Sequence, residues 1–340
     1  MMLVGQLMMV FQFEKQISRI LYRNFAWLAE LLANRTSPSS PITNFDAMIH
    51  SFSEKELVRY QPELLITYGG HIVSKRVKEY LRKYPPKEHW HVSADGEVCD
   101  LFGSLTTLIE MSPFEFLETI ATLLNEKKVD YPTLWESRSK RVDTPLLDYS
   151  SLGVVGQFMD KIPHESVIHL ANSSVVRYAQ LFTLPEQVEV CCNRGTNGIE
   201  GSLSTAIGYA MASPKLNFVL IGDLSFFYDM NAIWTSNFGS NLRILLLNNS
   251  GGEIFKTLPM GLSTNSERFV HANHKAVAKG WVEECGFKYL SVKSQEELNV
   301  ALVQFVDPDI NQIKPIFMEV FTDSDIDVKS LKTYFESIKN

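Results

Sequence analysis

The sequence has 340 residues, 45% hydrophobic and 21% charged, which is ordinary for a globular protein with room for two domains. Its formal net charge of −7, without a dense stripe of Lys and Arg, argues against a general nucleic-acid-binding protein. Its four cysteines lack CxxC spacing and are too few for a disulfide framework, so the reducing cytoplasm fits best. Adjacent Cys191 and Cys192 fit a redox pair or, in our interpretation, two buried apolar residues at a strand end.

The chain opens with the apolar stretch MMLVGQLMMV, which predicts a buried strand over Met2–Val10. The stretch differs from a signal peptide because it lacks a basic n-region and a small-x-small cleavage site. No run approaches the roughly 20 apolar residues that cross a bilayer, so we expect no membrane span. Because the chain begins inside a core strand, we also expect that an upstream segment is missing.

The first half alternates predicted helices and strands, which indicates a parallel sheet with right-handed crossovers. In chain order these are a strand at Met2–Val10, a helix at Glu14–Leu32, a short helix near Asn44–Ser51, a strand at Leu64–Tyr68, a helix at Ser74–Tyr84, strands near His89–Ser93 and Val98–Leu101, and a helix at Pro113–Glu126. Gly69-Gly70-His71 precedes a helix that carries Lys75 and Arg76, which fits an anion site or a tight turn. We favour the tight turn.

A polar, charge-mixed stretch, Lys127–Tyr149, separates the two halves and predicts a solvated helix or linker. We therefore expect a first domain at 1–135, a linker at 136–150 and a second domain at 151–340. The predicted fold class is α/β, with two parallel-sheet, three-layer domains.

The second half continues the alternation. Its predicted elements are helices at Leu152–Met159, Val175–Phe182 and Leu203–Ala212, strands at Ser166–Leu170, Phe218–Ile221 and Ile244–Leu247, a helix near Ala276–Cys285, a strand at Tyr289–Val292, a helix at Gln295–Val306, a strand at Pro315–Phe321 and a closing helix. Asp323, Asp325 and Asp327 alternate before that helix but lack the Gly and terminal Glu of an EF-hand, so we expect a capped, solvated turn.

Polar residues at strand ends suggest where a ligand binds. Ser173 stands at the end of a strand and fits either an anion or carbonyl contact or an ordinary N-cap. The loop NRGTNGIEGS holds three glycines, which let the backbone approach a ligand, and its Arg194 suits a carboxylate substrate. Asp223 and Asn249 each follow a buried-type strand and, with nearby glycines, suit a hard divalent cation that carries a diphosphate.

These motifs resemble one family of thiamine diphosphate enzymes. Asn249 follows Asp223 by 26 positions (249 − 223 = 26), as in the diphosphate- and metal-binding motif of that superfamily. The segments GDLSFFYDMNA, NNSGGEIF, NRGTNGIEGSLSTA and NSSVVR resemble the 2-succinyl-5-enolpyruvyl-6-hydroxy-3-cyclohexene-1-carboxylate synthases of menaquinone biosynthesis. The resemblance covers about residues 165–325 strongly and 1–124 more weakly.

The resemblance implies thiamine diphosphate and Mg²⁺ or Mn²⁺ as cofactors. Asp223, Asn249 and the Gly251 carbonyl would bind the metal. The implied cofactor contacts are Gly222, Asp223, Leu224, Ser225, Asn249, Gly251, Gly252, Ile254, Phe255 and Leu258. The domain at 1–135 would be the central domain of such enzymes, and 151–340 the diphosphate- and metal-binding domain.

The resemblance also implies the reaction: decarboxylation of 2-oxoglutarate and conjugate addition of the succinyl-semialdehyde carbanion to isochorismate. Ser173, Arg177 and Arg194 would contact the substrate carboxylates, and Lys75 would reach in from the other domain. Family members also have a pyrimidine-binding domain with an activating Glu, for which no segment here stands in. We therefore expect a homodimer or a partner chain that supplies this domain, and little activity from the chain alone.

Two alternatives stay open. One is another thiamine diphosphate carboligase or decarboxylase subunit, against which the NSSVVR and NRGTNGIEG segments argue. The other is a non-catalytic cofactor-binding remnant. A nicotinamide enzyme of the Rossmann class is excluded, because the sequence lacks GxGxxG and its ribose-binding acid.

Overall fold

The computed structural model describes residues 1–7, 14–34, 41–124, 129–185, 187–235, 238–252, 255–256, 264–309 and 314–339. The chain divides into two compact units, one formed by Met1–Thr144 with Phe335–Asn340 and the other by Pro145–Tyr334. Each unit is built on one all-parallel sheet, with order β2-β1-β3-β4-β5 in the first and β10-β11-β9-β8-β6-β7 in the second. The predicted α/β class is confirmed.

The first unit alternates strands and helices along its sheet. Its elements are β1 (Met2–Val4), α1 (Lys15–Asn24), β2 (Trp27–Ala29), a 3₁₀ turn (Leu31–Ala33), α2 (Phe45–Ser51), α3 (Glu54–Arg59), β3 (Leu64–Tyr68), α4 (Lys75–Lys83), β4 (Glu88–Ser93), β5 (Thr107–Glu110), α5 (Pro113–Leu123) and α6 (Asp130–Ser139). Residues 8–10 of the first predicted strand and 125–126 of the last predicted helix lie outside the described residues.

Two predicted elements of this unit are wrong. The helix predicted over Glu14–Leu32 ends at Asn24, and Trp27–Ala29 forms a strand buried on both faces, where a continuous apolar run suits a parallel sheet. The strand predicted at Val98–Leu101 is absent from the described residues, and β5 lies at Thr107–Glu110 instead. Val98 is largely exposed, and within this stretch Leu101 alone packs, partly buried, against the apolar core.

The loop after β3 bends at Gly69 and Gly70 and leads to a helix start that a carboxylate of the same chain already occupies. The backbone N–H groups of Val73 and Ser74 donate to the two carboxylate oxygens of Glu30, at 2.6 and 2.7 Å. Glu30 is itself buried, so the chain's own carboxylate takes the place that an anion would occupy at the start of α4.

Part of the polar stretch Lys127–Tyr149 is packed into the core of the first unit. α6 occupies Asp130–Ser139, and its Trp135 is fully buried against the rings of Phe52 and Tyr60, with centroids 5.9 and 5.2 Å away. The predicted helix is therefore present, but its inner face, with Trp135, is buried rather than solvated.

A buried histidine, His89, lies on β4, an inner strand of the first sheet. The Nε2 atom of His89 lies 2.9 Å from the hydroxyl of Thr67, and the side chain is almost fully buried. Burial lowers the pKa of His89 from 6.5 to about 4. The ring is therefore neutral in the folded protein at neutral pH.

We expect His89 to make the chain less stable in acid. Below pH 6.5 the unfolded chain takes up the proton before the folded chain does, so the free energy of unfolding falls as the pH drops toward about 4. The expected loss by pH 4.5 is on the order of 2–3 kcal/mol. Denaturant unfolding at pH 7 and pH 4.5 measures it, and the H89Q variant should lose less; an equal loss in both proteins contradicts the prediction.

The second unit has the same alternation around six strands. Its elements are α7 (Ser151–Met159), β6 (Val167–Leu170), α8 (Ser174–Ala179), β7 (Glu189–Cys191), α9 (Ser202–Ala212), β8 (Asn217–Gly222), α10 (Asp223–Asp229), a 3₁₀ turn (Met230–Ile233), β9 (Leu242–Asn248), α11 (Thr264–His271), α12 (Lys279–Glu284), β10 (Lys288–Val292), α13 (Gln295–Phe305), β11 (Ile316–Phe321) and α14 (Ser324–Ser337).

Helices cover both faces of this sheet. On one face Phe158 of α7 and Phe305 of α13 pack against Phe218 of β8, with ring centroids 5.3 and 5.6 Å from that ring. On the other face α9, α10 and α12 bury a separate apolar cluster against β8 and β9. Since both faces are covered, the apolar runs predicted at Phe218–Ile221 and Ile244–Leu247 are buried within β8 and β9, which also hold the buried polar residues Asn217, Arg243 and Asn248.

Two smaller expectations for this unit have different outcomes. Burial raises the pKa of the Cys191 thiol to about 11, which suits a structural role rather than a redox pair.

Asp323 caps α14 by accepting the backbone N–H groups of Asp325 and Ile326. The expectation of a solvated turn is wrong for Asp327, which is fully buried.

Among the described residues, no helix is long and apolar enough to cross a membrane.

Candidate functional site

A cavity of about 130 Å³ lies at the carboxyl edge of the second sheet. β8 and β9 are neighbours there, with Gly222 paired to Leu247, so the residues that follow the two strands meet at one place. Nine of the residues predicted to bind cofactor, metal or substrate line this cavity: Ser173, Gly222, Asp223, Leu224, Ser225, Asn249, Gly251, Gly252 and Phe255.

Asp223 begins α10, and its carboxylate is buried in the wall of the cavity. One oxygen accepts the backbone N–H of Leu224 at 2.6 Å, and the other accepts that of Gly251 at 2.9 Å. The Nε2 atom of His274 lies 3.2 Å from the second oxygen. Burial raises the pKa of Asp223, against the opposing effects of His274 and the two amides. A cation in the cavity would offset this cost of burial.

The loop after β9 needs glycine at position 251. Gly251 has a φ of 149°, and a Cβ there would lie 2.6 Å from the carbonyl oxygen of His271 and 2.9 Å from Oδ1 of Asn273. The preceding Ser250 also has a positive φ, of 68°, and its N–H donates to Oδ1 of Asn248 at 3.2 Å. This conformation brings the Gly251 backbone against Asp223.

Asn249 completes the set of oxygen-bearing groups. Its Nδ2 donates to Oδ2 of Asp327 at 3.0 Å, which orients the side-chain amide. One carboxylate, one amide oxygen and one backbone carbonyl are the ligand types that Mg²⁺ and Mn²⁺ prefer. Across the described ranges no cluster of three or more His, Cys, Asp or Glu side chains could hold a metal ion. The donor set fits a cation that takes its remaining ligands from a phosphate.

Ser173 lies at the N-cap position of α8, but its side chain makes no capping hydrogen bond. Its backbone has a φ of 77° and a ψ of −130°, an unfavourable conformation for a residue with a side chain. Such strain is concentrated at functional sites. The geometry therefore favours the ligand-contact prediction over the ordinary N-cap.

Arg194 is buried beside the cavity rather than in its lining. Its Nη1 donates to Oδ1 of Asn172 at 2.6 Å, and Asn172 does line the cavity. The Nδ2 of Asn172 in turn donates to the carbonyl oxygens of Asn193 and Gly198, both at 2.6 Å. Asn172 thus ties the glycine-rich loop to the end of β6.

The structure leaves the roles of four other predicted site residues untested. Arg177 is half-buried on α8, outside the cavity lining. Lys75 is the exposed first residue of α4, in the first unit. Ile254 and Leu258 lie outside the described residues. The roles of these four residues stay predictions.

Several further residues, outside the predicted site set, also belong to this region. Ser151, Asn172, Tyr178 and Ile199 line the cavity, and His274 contacts Asp223. Asn172 could have been found from its place at a strand end directly before Ser173. Ser151 and His274 are far along the chain from the motif, so no spacing pattern marks them.

Comparison with known proteins gives one match to a protein family and a set of relatives, several of which match over the whole of this chain. Residues 173–320 match the family described as "Thiamine pyrophosphate enzyme, C-terminal TPP binding domain". The whole chain is 58% identical to the 2-succinyl-5-enolpyruvyl-6-hydroxy-3-cyclohexene-1-carboxylate synthase of Bacteroides fragilis and 56% identical to that of Phocaeicola vulgatus.

The matched region is a part of each relative. The chain covers 61% of the Bacteroides fragilis and Phocaeicola vulgatus proteins. In the synthase of Flavobacterium psychrophilum, 87% of the chain aligns with 54% of the relative at 38% identity. The chain thus spans less than two thirds of the length of these curated relatives.

Proposed function

The chain belongs to the family of 2-succinyl-5-enolpyruvyl-6-hydroxy-3-cyclohexene-1-carboxylate synthases, and we propose on this premise that it takes part in their reaction. In that reaction 2-oxoglutarate loses CO₂ and the remaining succinyl-semialdehyde unit adds to isochorismate, a step of menaquinone biosynthesis. The observation that carries the proposal is the convergence of Asp223, Asn249 and Gly251 on one cavity within a matched thiamine pyrophosphate-binding domain.

The metal end of the site is assigned to three groups. The Asp223 carboxylate, the Asn249 amide oxygen and the Gly251 carbonyl would hold Mg²⁺ or Mn²⁺. The diphosphate would lie along Gly222, Leu224, Ser225 and Gly252. Phe255, with Ile254 and Leu258, would pack against the rest of the cofactor. Thiamine diphosphate, when bound, supplies the electron sink that decarboxylation of a 2-oxo acid requires.

The substrate end is assigned to cationic and hydroxyl groups. Both proposed substrates carry two carboxylates, so a site with several cations is needed. Arg194 is held in place by Asn172, at 2.6 Å, which leaves less side-chain freedom to be lost when a carboxylate binds. The other proposed substrate contacts are Ser173 in the cavity wall, Arg177 on α8 and Lys75 of the first unit.

The assembly is also part of the proposal. We propose a homodimer, or a complex with a partner chain, in which a pyrimidine-binding domain supplies the acid that activates the cofactor. The cytoplasm is the proposed compartment, since the four cysteines are free thiols.

Two measurements test these assignments. Calorimetry should show thiamine diphosphate binding with Mg²⁺ present and weak or no binding without it. Mass-spectrometric product analysis should then find the succinylated cyclohexene carboxylate from 2-oxoglutarate and isochorismate, once the pyrimidine-binding domain is supplied. Failure to bind would overturn the cofactor assignment. Product from pyruvate alone would favour another thiamine diphosphate enzyme, and binding without turnover in the complete assembly would favour a non-catalytic role.

A further inference from the structure

The fully buried carboxylate of Asp327 contacts one of the proposed metal ligands, Asn249. Asp327 comes from the first turn of α14 and is 0% exposed. Its Oδ1 accepts the backbone N–H of Ser151 at 2.6 Å. Its Oδ2 lies 2.7 Å from the hydroxyl of Ser151, 2.8 Å from that of Thr322 and 3.0 Å from Nδ2 of Asn249. All its neighbours in this set are hydrogen-bond donors, which a buried carboxylate needs.

The contact with Asn249 determines which way that amide faces. A side-chain amide has a donor nitrogen and an acceptor oxygen on opposite sides of one plane. Because the carboxylate of Asp327 accepts, Asn249 presents its nitrogen to Asp327, and its oxygen is turned to the other side. Only the oxygen is a ligand for a hard cation.

We propose that Asp327 is a positioning residue that orients the Asn249 amide with its carbonyl oxygen toward the metal. The inference rests on the proposed function, because that function places the metal at Asn249. Asp327 lies 78 positions from Asn249 and belongs to no motif of the diphosphate site. It acts through Asn249 and does not line the cavity.

The neighbouring Asn248 has the same arrangement, and a hydrogen-bond partner is present at both the nitrogen and the oxygen of its amide. Nδ2 of Asn248 donates to the buried carboxylate of Glu319 at 2.7 Å, and its Oδ1 accepts the N–H of Ser250 at 3.2 Å. A buried acceptor that holds the amide nitrogen thus fixes the direction in which the amide oxygen points. For Asn248 that partner is the loop backbone, and for Asn249 we assign the metal.

An exchange of the two side-chain types tests the inference. D327N leaves one acceptor oxygen where there were two, and the Ser151 backbone N–H takes it because that donor cannot reorient. The new amide nitrogen then faces Asn249 and the Ser151 and Thr322 hydroxyls, which can accept. Asn249 must turn to meet it, and this moves its oxygen away from the metal. The double variant N249D/D327N reverses donor and acceptor but keeps the hydrogen bond and an oxygen at position 249. Mn²⁺ affinity, measured by electron paramagnetic resonance with saturating thiamine diphosphate, should fall about 10- to 100-fold in D327N. It should return to within about threefold of the unsubstituted chain in N249D/D327N.

The matched control is T322V, which removes a different donor to the same Asp327 oxygen without touching Asn249. Its Mn²⁺ affinity should change less than about threefold, even where its melting temperature falls. Unchanged affinity in D327N, or an exchange variant that folds and stays weak, overturns the inference while the proposed function stands.

Folding of the variants is followed by circular dichroism. Should D327N fail to fold, an exchange variant that folds and binds Mn²⁺ still supports the pairing, and failure of both to fold overturns it. Lack of Mn²⁺ binding by the unsubstituted chain overturns the proposed function and the inference together.

Discussion

The D223N variant is expected to lose metal-dependent binding of thiamine diphosphate, with affinity at least 100-fold weaker than that of the unsubstituted chain. Asp223 is the only carboxylate among the three proposed ligands. Both of its oxygens also accept backbone N–H groups, at 2.6 and 2.9 Å, so an amide nitrogen in place of either oxygen leaves one donor without its acceptor. Calorimetric titration with thiamine diphosphate and Mg²⁺ measures the loss.

The stability of D223N separates this effect from simple unfolding. Burial raises the pKa of Asp223, so the charged carboxylate is costly while no cation is bound. The loss of this costly charge and the donor left without an acceptor oppose each other, so we expect the melting temperature of the cofactor-free D223N chain to stay close to that of the unsubstituted chain. Only the unsubstituted chain should gain stability when cofactor and Mg²⁺ are added.

D229N is the matched control on the same helix. The carboxylate of Asp229 accepts the backbone N–H and the hydroxyl of Ser204, and it does not line the cavity. Cofactor affinity should stay within about twofold in D229N. Affinity in D223N within tenfold of the unsubstituted chain would contradict the assignment of Asp223 as a metal ligand.

The second large effect is expected at Gly251, where G251A should lower the free energy of unfolding by about 2–4 kcal/mol. The new Cβ would lie 2.6 Å from the carbonyl oxygen of His271, and the φ of 149° is strained for alanine. Relief requires the loop to move, which would displace the Gly251 carbonyl and the N–H that Asp223 accepts. Cofactor affinity should fall at least tenfold in the same variant.

Denaturant unfolding and calorimetry check the two parts of this prediction. G280A is the control, because Gly280 lies in α12 with no heavy atom within 4 Å of a new Cβ. Alanine there should leave stability unchanged or raise it by about 0.5–1 kcal/mol. G251A that unfolds and binds like the unsubstituted chain would show that the loop tolerates a side chain.

Pattern and spacing were enough to predict most of the second sheet and the meeting of Asp223 and Asn249, whereas Leu224, Ser225, Phe255 and other cofactor contacts in the cavity were implied by the family resemblance. The apolar runs at Phe218–Ile221 and Ile244–Leu247 are long and bounded by polar or glycine residues, and both form strands buried on two faces. The carboxyl ends of adjacent parallel strands meet at one edge, so Asp223 and Asn249 could be placed together without coordinates.

Short apolar segments could not be assigned in the same way. Trp27–Ala29 continues an apolar pattern that also suits a helix, and only pairing with Met2–Val4 makes it a strand. Val98–Leu101 has strand-forming residues, but the sheet gains its last strand at Thr107–Glu110 instead. For such short segments, strand formation depends on pairing with residues distant in the chain and not on the local preference of the residues.

The sequence by itself determined the fold class, the order of most elements and the oxygen-bearing residues at the ends of β8 and β9, because these depend on local periodicity and on strand direction. The tertiary structure alone decided how those residues are held. It placed Asp327 against Asn249 and His274 against Asp223, and it tied Arg194 to Asn172. These contacts join elements far apart in the chain, and no local pattern encodes a hydrogen bond between them.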